Sequence, residues 1–270
     1  MKQQPVFQVD AFTDQPFGGN PAAVCPMAEF PEDALMQSIA LENNLAETAF
    51  IVPVGDQDAH YHLRWFTPAI EVQLCGHATL ASGLVVFNHL EPEADKVVFE
   101  TVSGTMKVTK LSDGRLCLDF PNLKPTPFDA PAGLAEAMGE APSYVLDANT
   151  GDDDLLIVYD NAQVIETLTP DPAKMAALSP YGFIVTAPGQ GDIDFVSRCF
   201  FPNKGIPEDP VTGSAHCAAG PYWAERLGKA SLRARQVSAR GGDLWLEVSE
   251  ARVKISGFAV EVMQGTLFLP

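Results

Sequence analysis

Basic residues are scarce in this 270-residue sequence. Lys and Arg number 17 against 35 Asp and Glu, which gives a formal net charge of −18. A field of that sign opposes nucleic acid and anionic membrane surfaces, so the sequence predicts neither as a partner. An anionic small molecule is not excluded, because a local cluster of backbone N–H groups can outweigh the distant field.

Cysteine is sparse, and the cysteines do not occur in closely spaced pairs. The five cysteines are odd in number, scattered along the chain, and without a CxxC motif. This pattern argues against a disulfide framework or a zinc site, and it is typical of a protein in a reducing compartment. The sequence therefore predicts a cytoplasmic protein.

Long apolar runs and the common cofactor motifs are also missing. No apolar run approaches the roughly 18 residues that span a bilayer, and the N-terminus leads directly into a strand-like run without a signal peptide. There is no GxGxxG after a strand, no Walker A, no HExxH and no GxSxG. His60 and His62 share one face of an apparent strand but lack a third ligand. The sequence therefore predicts no cofactor and no metal site.

What the sequence does contain is an internal repeat. Its motifs recur at a separation of about half the chain, and a period this long predicts two related lobes and not a solenoid of short repeats. Two facing lobes would form a cleft that can hold a small molecule. The repeated pairs are Arg64–Pro68 with Arg198–Pro202, Gly76 with Gly213, and Val102–Gly104 with Val237–Ala239.

The order of the apparent elements predicts the fold class. Each half contains mostly short alternating strands and one apolar helix, so we expect an α+β protein whose two lobes each roll a mainly antiparallel sheet around a central helix. A segment rich in Pro and Ala follows residue 121 and marks the boundary. The predicted lobes are residues 1–123 and 124–270, with the last strand able to pack on the first lobe.

Gly76-His77 and Gly213-Ser214 occupy equivalent positions where a turn becomes a helix. Glycine allows close approach of a ligand, and the first N–H groups of a helix have no internal acceptors, so they bind carboxylates. The alternative is that both dipeptides only start their helices, with Ser214 as a conventional N-cap.

Three ionisable residues are candidates for the chemistry. Glu47 lies at the edge of an apolar strand, where a carboxylate can act as a proton shuttle, although a lone Glu in a helix-to-strand loop is commonly only solvated. His77 could donate to a substrate oxygen or relay a proton. Asp209 could accept a hydrogen bond from a substrate, or it could simply form the turn before Pro210.

Cys75 raises the possibility of thiol chemistry. It precedes Gly76 at a helix N-terminus, which lowers the pKa of a thiol, and two facing thiols would make a two-base racemase. The equivalent position of the second half is Thr212. We therefore expect Cys75 to be a small packed residue.

Four motifs together resemble the PhzF-like isomerase family of phenazine biosynthesis, in the same order and over essentially the whole chain. They are Gly19-Asn20-Pro21-Ala22-Ala23-Val24, Asn44-Leu45-Ala46-Glu47-Thr48-Ala49-Phe50, Cys75-Gly76-His77-Ala78-Thr79 and Glu208-Asp209-Pro210-Val211-Thr212-Gly213-Ser214-Ala215.

The resemblance implies a diaminopimelate-epimerase-like fold with pseudo-twofold related lobes, an active site between them, a homodimer and no cofactor. Glu47 matches the glutamate that, in the family's best-known member, shuttles a proton between carbons of a dihydro-hydroxyanthranilate ring. The resemblance assigns the following residues to the substrate site: Asn20, Gly76, His77, Asp209, Gly213 and Ser214.

The resulting hypothesis is a cofactor-independent isomerase that shifts a proton within a small carboxylate-bearing molecule, with Glu47 as the general acid/base. Two alternatives remain open. One is a Cys-dependent amino-acid racemase or epimerase, and the other is a non-catalytic small-molecule binding protein on the same scaffold.

Overall fold

A computed structural model describes residues 2–55 and 58–270 of the chain. The strands are β1 (Lys2–Ala11), β2 (Asn20–Pro26), β3 (Glu47–Pro53), β4 (His60–Phe66), β5 (Glu71–Val72), β6 (Lys96–Thr101), β7 (Gly104–Lys110), β8 (Leu116–Pro121), β9 (Thr126–Pro127), β10 (Tyr144–Asp147), β11 (Asp154–Val158), β12 (Gly182–Pro188), β13 (Phe195–Phe201), β14 (Ile206–Asp209), β15 (Ser231–Gln236), β16 (Gly242–Val248), β17 (Arg252–Gly257) and β18 (Ala259–Leu269). The helices are α1 (Asp33–Asn43), α2 (Gly76–Val85), α3 (Leu134–Met138), α4 (Ala162–Thr167), α5 (Pro172–Ala177) and α6 (His216–Leu227), with a π-helical turn at Val86–Leu90 and a 3₁₀ turn at Pro202–Lys204.

The chain packs as two units, and the first begins and ends the sequence. It comprises the residues up to Asp119 together with Ser256–Pro270, and the second unit is Phe120–Ile255. In the first unit the strands run in the order β18, β1, β2, β3, β4, β6, β7, β8, and β5 pairs with the end of β4. The β2–β3 and β4–β6 pairs are parallel and the others are antiparallel.

The second unit repeats the first seven strands of this order. Its order is β9, β10, β11, β12, β13, β15, β16, with β14 paired to β13. Again two pairs are parallel, β11–β12 and β13–β15, at the same places in the order. The repeat in the sequence is therefore a repeat of sheet topology.

One apolar helix packs inside the sheet of the first unit. Helix α2 contacts β18 and β1 at one end of the strand order and β7 near the other, so the sheet curls around it. Nine of its ten residues are buried. The hydroxyls of Thr79 and Ser82 donate to the carbonyls of Cys75 and Ala78, four residues earlier, which satisfies these polar groups without solvent.

Helix α6 occupies the corresponding place in the second unit, where it packs on β15 and β16. Pro221 lies inside this helix and cannot donate to the carbonyl of Cys217. The N–H of Leu123 donates to that carbonyl instead, at 3.1 Å. The buried acceptor is therefore paired although the helix contains a proline.

Glycines bring both central helices close to their sheets. A Cβ on Gly83 would lie 2.7 Å from a methyl of Val108, and one on Gly220 would lie 2.7 Å from a methyl of Leu246. Gly83 and Gly220 are 137 residues apart, the same separation as Gly76 and Gly213. Close helix-to-sheet contact is thus a shared feature of the two units.

The repeated arginines and serines hold the segments that lead into the central helices. Arg64 binds Glu71 through two hydrogen bonds of 2.7 Å, and Arg198 binds Glu208 through bonds of 2.7 and 3.0 Å. Such bidentate pairs fix geometry as well as charge.

The serines act on the same segments. Ser103 donates to the carbonyl of Gln73 at 2.6 Å, and Ser238 donates to the carbonyl of Pro210 at 2.7 Å. Gln73 and Pro210 each stand three residues before the glycine of a central-helix motif. These contacts give the repeated sequence motifs a structural explanation.

The other face of each sheet carries the remaining helices. In the first unit, Met36 and Ile39 of α1 join a buried cluster that contains Phe50 and Phe66. In the second unit, α3, α4 and α5 cover β11, β12 and β13 through a separate buried cluster. None of the helices in the described residues combines the length and hydropathy needed to cross a membrane.

Candidate active site

Three predicted site residues of the first unit come from adjacent elements. Asn20 is the first residue of β2 and Glu47 is the first residue of β3. Because these strands are parallel, with Ala22 opposite Glu47, Asn20 and Glu47 both lie at the end of the sheet where β2 and β3 begin. His77 is the second residue of α2, which packs against both strands. The fold therefore gathers residues that are up to 57 positions apart.

His77 stands at the centre of this cluster. Its Nε2 lies 2.9 Å from Oε2 of Glu47. Its Nδ1 accepts from Nδ2 of Asn20 at 3.2 Å and lies 3.6 Å from Sγ of Cys75. Since Nδ1 is an acceptor here, the proton of the neutral ring is on Nε2, the atom that faces Glu47.

The contact between Glu47 and His77 is a close ion pair of 2.9 Å. Both atoms are inaccessible to solvent, and beyond this pair neither Oε2 of Glu47 nor Nε2 of His77 has a hydrogen-bond partner within residues 2–55 and 58–270. Buried polar atoms with hydrogen-bonding capacity to spare often mark a site where a ligand binds. Glu47 and His77 are only 9% and 5% exposed.

The environment changes the proton affinities of His77 and Cys75. Burial disfavours the imidazolium, but the Cys75 sulfur and the Glu47 carboxylate favour it, and the balance raises the pKa of His77 well above its ordinary value. Burial, with a contribution from Glu47, raises the pKa of the Cys75 thiol to about 11. The sequence-based expectation of a lowered thiol pKa is therefore wrong, because desolvation outweighs the helix N-terminus.

The N-terminus of α2 adds backbone donors to the cluster. The helix begins at Gly76 with Cys75 as its N-cap, and no acidic side chain lies in its first turn. Thr79 is the first residue whose N–H donates to a carbonyl of this helix, that of Cys75. The preceding N–H groups have no intrahelical acceptor, which suits an anionic ligand.

Asp209 is placed in the second unit, at the end of β14, and is 9% exposed. Oδ2 of Asp209 accepts from the hydroxyl of Thr212 at 2.5 Å. Gln236 fixes this segment: Nε2 donates to the carbonyl of Asp209 at 2.8 Å, and Oε1 accepts from the N–H of Thr212 at 2.9 Å. Asp209 is thus held in place by a network of hydrogen bonds around its own turn.

Gly213 and Ser214 lie in a turn that precedes helix α6. The helix begins at His216 with Ala215 as its N-cap, and no side chain caps it. The alternative in which Ser214 is a conventional N-cap of this helix is therefore wrong. The N–H groups of His216 and Cys217 donate to the carbonyls of Gly213 and Ser214, three residues earlier, so a tighter turn replaces the first helical turn.

The sequence analysis missed His216, a buried residue that hydrogen bonds to the backbone of this turn. Its Nδ1 donates to the carbonyl of Thr212 at 2.8 Å, and its Nε2 accepts from the hydroxyl of Ser197 at 3.2 Å. Burial lowers the pKa of His216 to about 4. The sequence analysis also missed Gln236, which stands immediately before the repeated Val237-Ser238 motif; it ends β15, which also carries Ser231, Arg233 and Arg235, so its polarity alone gave no signal.

Glu47, Cys75 and His77 form a group of metal-capable side chains. One ligand atom from each can be chosen so that all three lie within 4.8 Å of one another. This group was not predicted from the sequence, because Glu47 is 28 positions away from Cys75 and the spacing matches no metal motif.

A surface groove of about 520 Å³ lies elsewhere in the first unit. Arg64, which lines this groove, is already bound by Glu71 and Asp33. None of the predicted site residues lines it. The groove is therefore separate from the candidate site.

Comparison with known proteins identifies the family. The sequence profile of the phenazine biosynthesis-like proteins (PhzC-PhzF) matches residues 9–265. A Pseudomonas aeruginosa protein named as an uncharacterized isomerase is 50% identical over 264 residues, which cover 98% of each chain.

Solved structures agree with this match. The crystal structure of a PhzF-family phenazine biosynthesis protein from Enterococcus faecalis has a TM-score of 0.93 and 42% identity, and covers 99% of this chain and 100% of that chain. A probable proline racemase from Agrobacterium radiobacter, 13% identical, has a TM-score of 0.65 over 99% of this chain and 93% of its own, which supports the epimerase-like fold alone. The predicted α+β fold class is confirmed, and the chain belongs to the phenazine biosynthesis-like (PhzC-PhzF) family of isomerases.

Proposed function

We propose that this isomerase shifts a proton within a small carboxylate-bearing molecule, and that Glu47 is its general acid/base. The Glu47 carboxylate takes a proton from one carbon of the substrate and returns it to another carbon on the same face. No redox step is involved, so the reaction needs no electron acceptor. Proton transfer by a positioned side chain is worth about 10²- to 10⁴-fold in rate.

The observation that carries the proposal is the state of Glu47 and His77. Two buried polar atoms that face each other at 2.9 Å, with no further hydrogen-bond partner within the described residues, provide an acceptor and a donor for a ligand. His77 then holds its Nε2 proton beside the Glu47 carboxylate and stabilises its charge before the proton is taken and after it is returned; between the two transfers Glu47 is neutral and the negative charge lies on the substrate.

The substrate carboxylate is proposed to bind at the start of α2. The N–H groups of Gly76 and His77 have no acceptor within their own helix, and the positive end of the helix dipole favours an anion. Asn20 would orient the ring of His77. Substrate-binding roles for Asp209, Gly213 and Ser214 in the second unit stay predictions from the family resemblance.

A thiol-dependent racemase is less well supported. A pKa of about 11 leaves Cys75 protonated near neutral pH, and the equivalent residue of the other unit is Thr212, which has no thiol. A homodimer, a cytoplasmic location and independence from cofactors remain expectations from the resemblance and the composition. Within the described residues none of the five cysteines forms a disulfide, which suits a reducing compartment.

Hydrogen exchange in D₂O tests the proposed chemistry. Cyclic and linear amino and hydroxy acids are incubated with the wild-type protein and with Glu47→Gln, and deuterium incorporation is followed by NMR. We expect deuterium at one carbon with the wild type and a rate at least about 10²-fold lower with Glu47→Gln, as for loss of a general base. Equal rates in the two proteins would reject Glu47 as the base. Ligands that raise the melting temperature without any exchange would favour a binding protein.

A further inference from the structure

We infer that Glu47, Cys75 and His77 form a binding site for a borderline-soft divalent cation of the Zn²⁺ class, and that the bound cation inhibits the isomerase. The inhibition rests on the proposed role of Glu47, whereas the binding does not. The combination of thiolate, imidazole and carboxylate is a common ligand set of zinc, and three protein ligands leave a fourth position open for water.

The distances in the cluster suit a metal of this size. With zinc–sulfur and zinc–nitrogen bonds of about 2.3 and 2.05 Å, the sulfur and nitrogen of a tetrahedral site lie about 3.6 Å apart. Sγ of Cys75 and Nδ1 of His77 are separated by 3.6 Å. Glu47 now faces Nε2 of His77, so to supply the third ligand its carboxylate must turn toward the Nδ1 side, which its three rotatable bonds and the 4.8 Å spread of the donor atoms allow, and the metal must displace the Asn20 amide from Nδ1.

The position of Cys75 imposes one condition on binding. The N-terminus of α2 carries a partial positive charge and disfavours a cation. Two anionic ligands, the thiolate of Cys75 and the carboxylate of Glu47, are needed to offset this effect. Removing either ligand should therefore weaken binding, and this requirement separates the proposed site from adsorption on the acidic surface.

The proton balance is simple. When the metal binds, the Cys75 thiol loses its proton to solvent, as coordinating thiols do, and His77 coordinates through a neutral ring. The Glu47 oxygen that would move a proton then holds the metal. The cation thus competes with the chemistry directly, without any change elsewhere in the chain.

Co²⁺ spectroscopy tests the site without any substrate. Co²⁺ in a tetrahedral site with a thiolate ligand gives intense sulfur-to-metal charge-transfer absorption, and Zn²⁺ should displace it. We expect one equivalent of Co²⁺ per chain in the wild type. Cys75→Ser should abolish the charge-transfer band, and Glu47→Gln should weaken Zn²⁺ binding at least 100-fold, which is about the upper end of what losing an outer-shell partner costs.

The choice of variants keeps the test decisive. Serine is a favoured N-cap residue, so Cys75→Ser should fold, and Cys117→Ser removes a different, partly exposed cysteine as the matched control. A band that persists in Cys75→Ser, or that disappears in Cys117→Ser, would overturn the assignment. Absence of a band in the wild type would overturn it as well.

Inhibition is measured separately, as loss of deuterium exchange on addition of Zn²⁺ and recovery with a chelator. Saturated Zn²⁺ binding with unchanged exchange would reject the inhibitory role and the use of Glu47 in catalysis while leaving the metal site intact. Normal exchange together with no metal binding would reject the metal site and leave the proposed function intact.

Discussion

Nε2 of His77 lies 2.9 Å from Oε2 of Glu47, and both atoms are sealed from solvent. Glu47 begins a strand and His77 begins a helix, so two rigid elements set this distance. A short-range contact with so little freedom favours the protonated form of His77. Substitutions at Glu47 or His77 are therefore suited to test catalysis separately from folding.

His77→Gln should reduce the rate of deuterium exchange at least about 10-fold, which corresponds to about 1.4 kcal/mol in the activation barrier. This reduction should be smaller than the one caused by Glu47→Gln. Glutamine can still donate a hydrogen bond near Glu47 but cannot carry the positive charge. The measurement is the exchange rate at saturating ligand. His89→Gln is the matched control, because His89 pairs with Glu261 at 2.6 Å in the same unit but is partly exposed and away from the cluster. Equal losses in the two variants would contradict a specific role for His77.

The buried His216 predicts a particular dependence of stability on pH. Its folded-state pKa is about 4, below the ordinary 6.5, so the unfolded chain binds the proton more tightly. The folded state therefore has its full stability above pH 6.5 and loses it as the pH falls toward 4. The full shift is worth about 3 kcal/mol at 1.36 kcal/mol per pKa unit.

His216→Asn should remove this component and keep a donor to the carbonyl of Thr212. We expect the free energy of unfolding in urea to fall less between pH 7 and pH 4.5 in His216→Asn than in the wild type, by about 2–3 kcal/mol. His62→Gln, which changes an exposed histidine, should follow the wild-type profile. Parallel profiles for His216→Asn and the wild type would show that His216 titrates normally.

The repeat made the fold class predictable, and local chemistry made parts of the site predictable. A separation of 134 to 137 residues between equivalent motifs reflects two sheets with the same strand order. The contact between Glu47 and His77 was not predictable, because it depends on how β3 and α2 pack. Cys75 is packed as expected, but the direction of its thiol pKa was predicted wrongly, because the effect of that burial outweighs the effect of the helix N-terminus.

The starting points of the two central helices were also only partly predictable from the sequence. Gly76 begins α2 as expected, whereas its counterpart Gly213 lies in a turn three residues before α6. The difference follows from the side chains beneath the turn: His216 and Gln236 both bond to Thr212. Such tertiary contacts decide between a helical and a tighter first turn, and they have no local sequence signature.

Gln236→Leu should destabilise the protein by about 2–4 kcal/mol, because it leaves the buried N–H of Thr212 and the carbonyl of Asp209 without this partner. Exchange should also slow, since Asp209 loses its fixed position. The measurements are urea unfolding and deuterium exchange. Gln163→Leu, an exposed position on α4, should change the free energy of unfolding by less than about 0.5 kcal/mol. A Gln236→Leu protein as stable as the wild type would show that the network is dispensable.

The two helix glycines predict unequal costs for the same substitution. In Gly83→Ala the new methyl would meet three atoms of Val108 between 2.7 and 3.2 Å, whereas in Gly220→Ala only one atom, the end of the Leu246 side chain, would be closer than 3.4 Å. Valine is stiff about χ1 and leucine can turn its terminal methyl away, so the first clash is harder to relieve. We expect Gly83→Ala to cost about 1–3 kcal/mol in the free energy of unfolding and Gly220→Ala to cost less.

A double-mutant cycle separates this clash from any other effect of the alanine. In a Val108→Ala protein the two Val108 methyls at 2.7 and 3.2 Å are gone and only Cβ of residue 108 remains, at 3.0 Å, while alanine is favoured over glycine within a helix by about 1 kcal/mol. Gly83→Ala should therefore cost much less in that protein, with a coupling energy of at least about 1 kcal/mol between the two positions. Urea unfolding of the four proteins gives the coupling directly. Additive costs would mean that α2 moves away from β7 as a whole, and the close approach would then not be what requires glycine at this position.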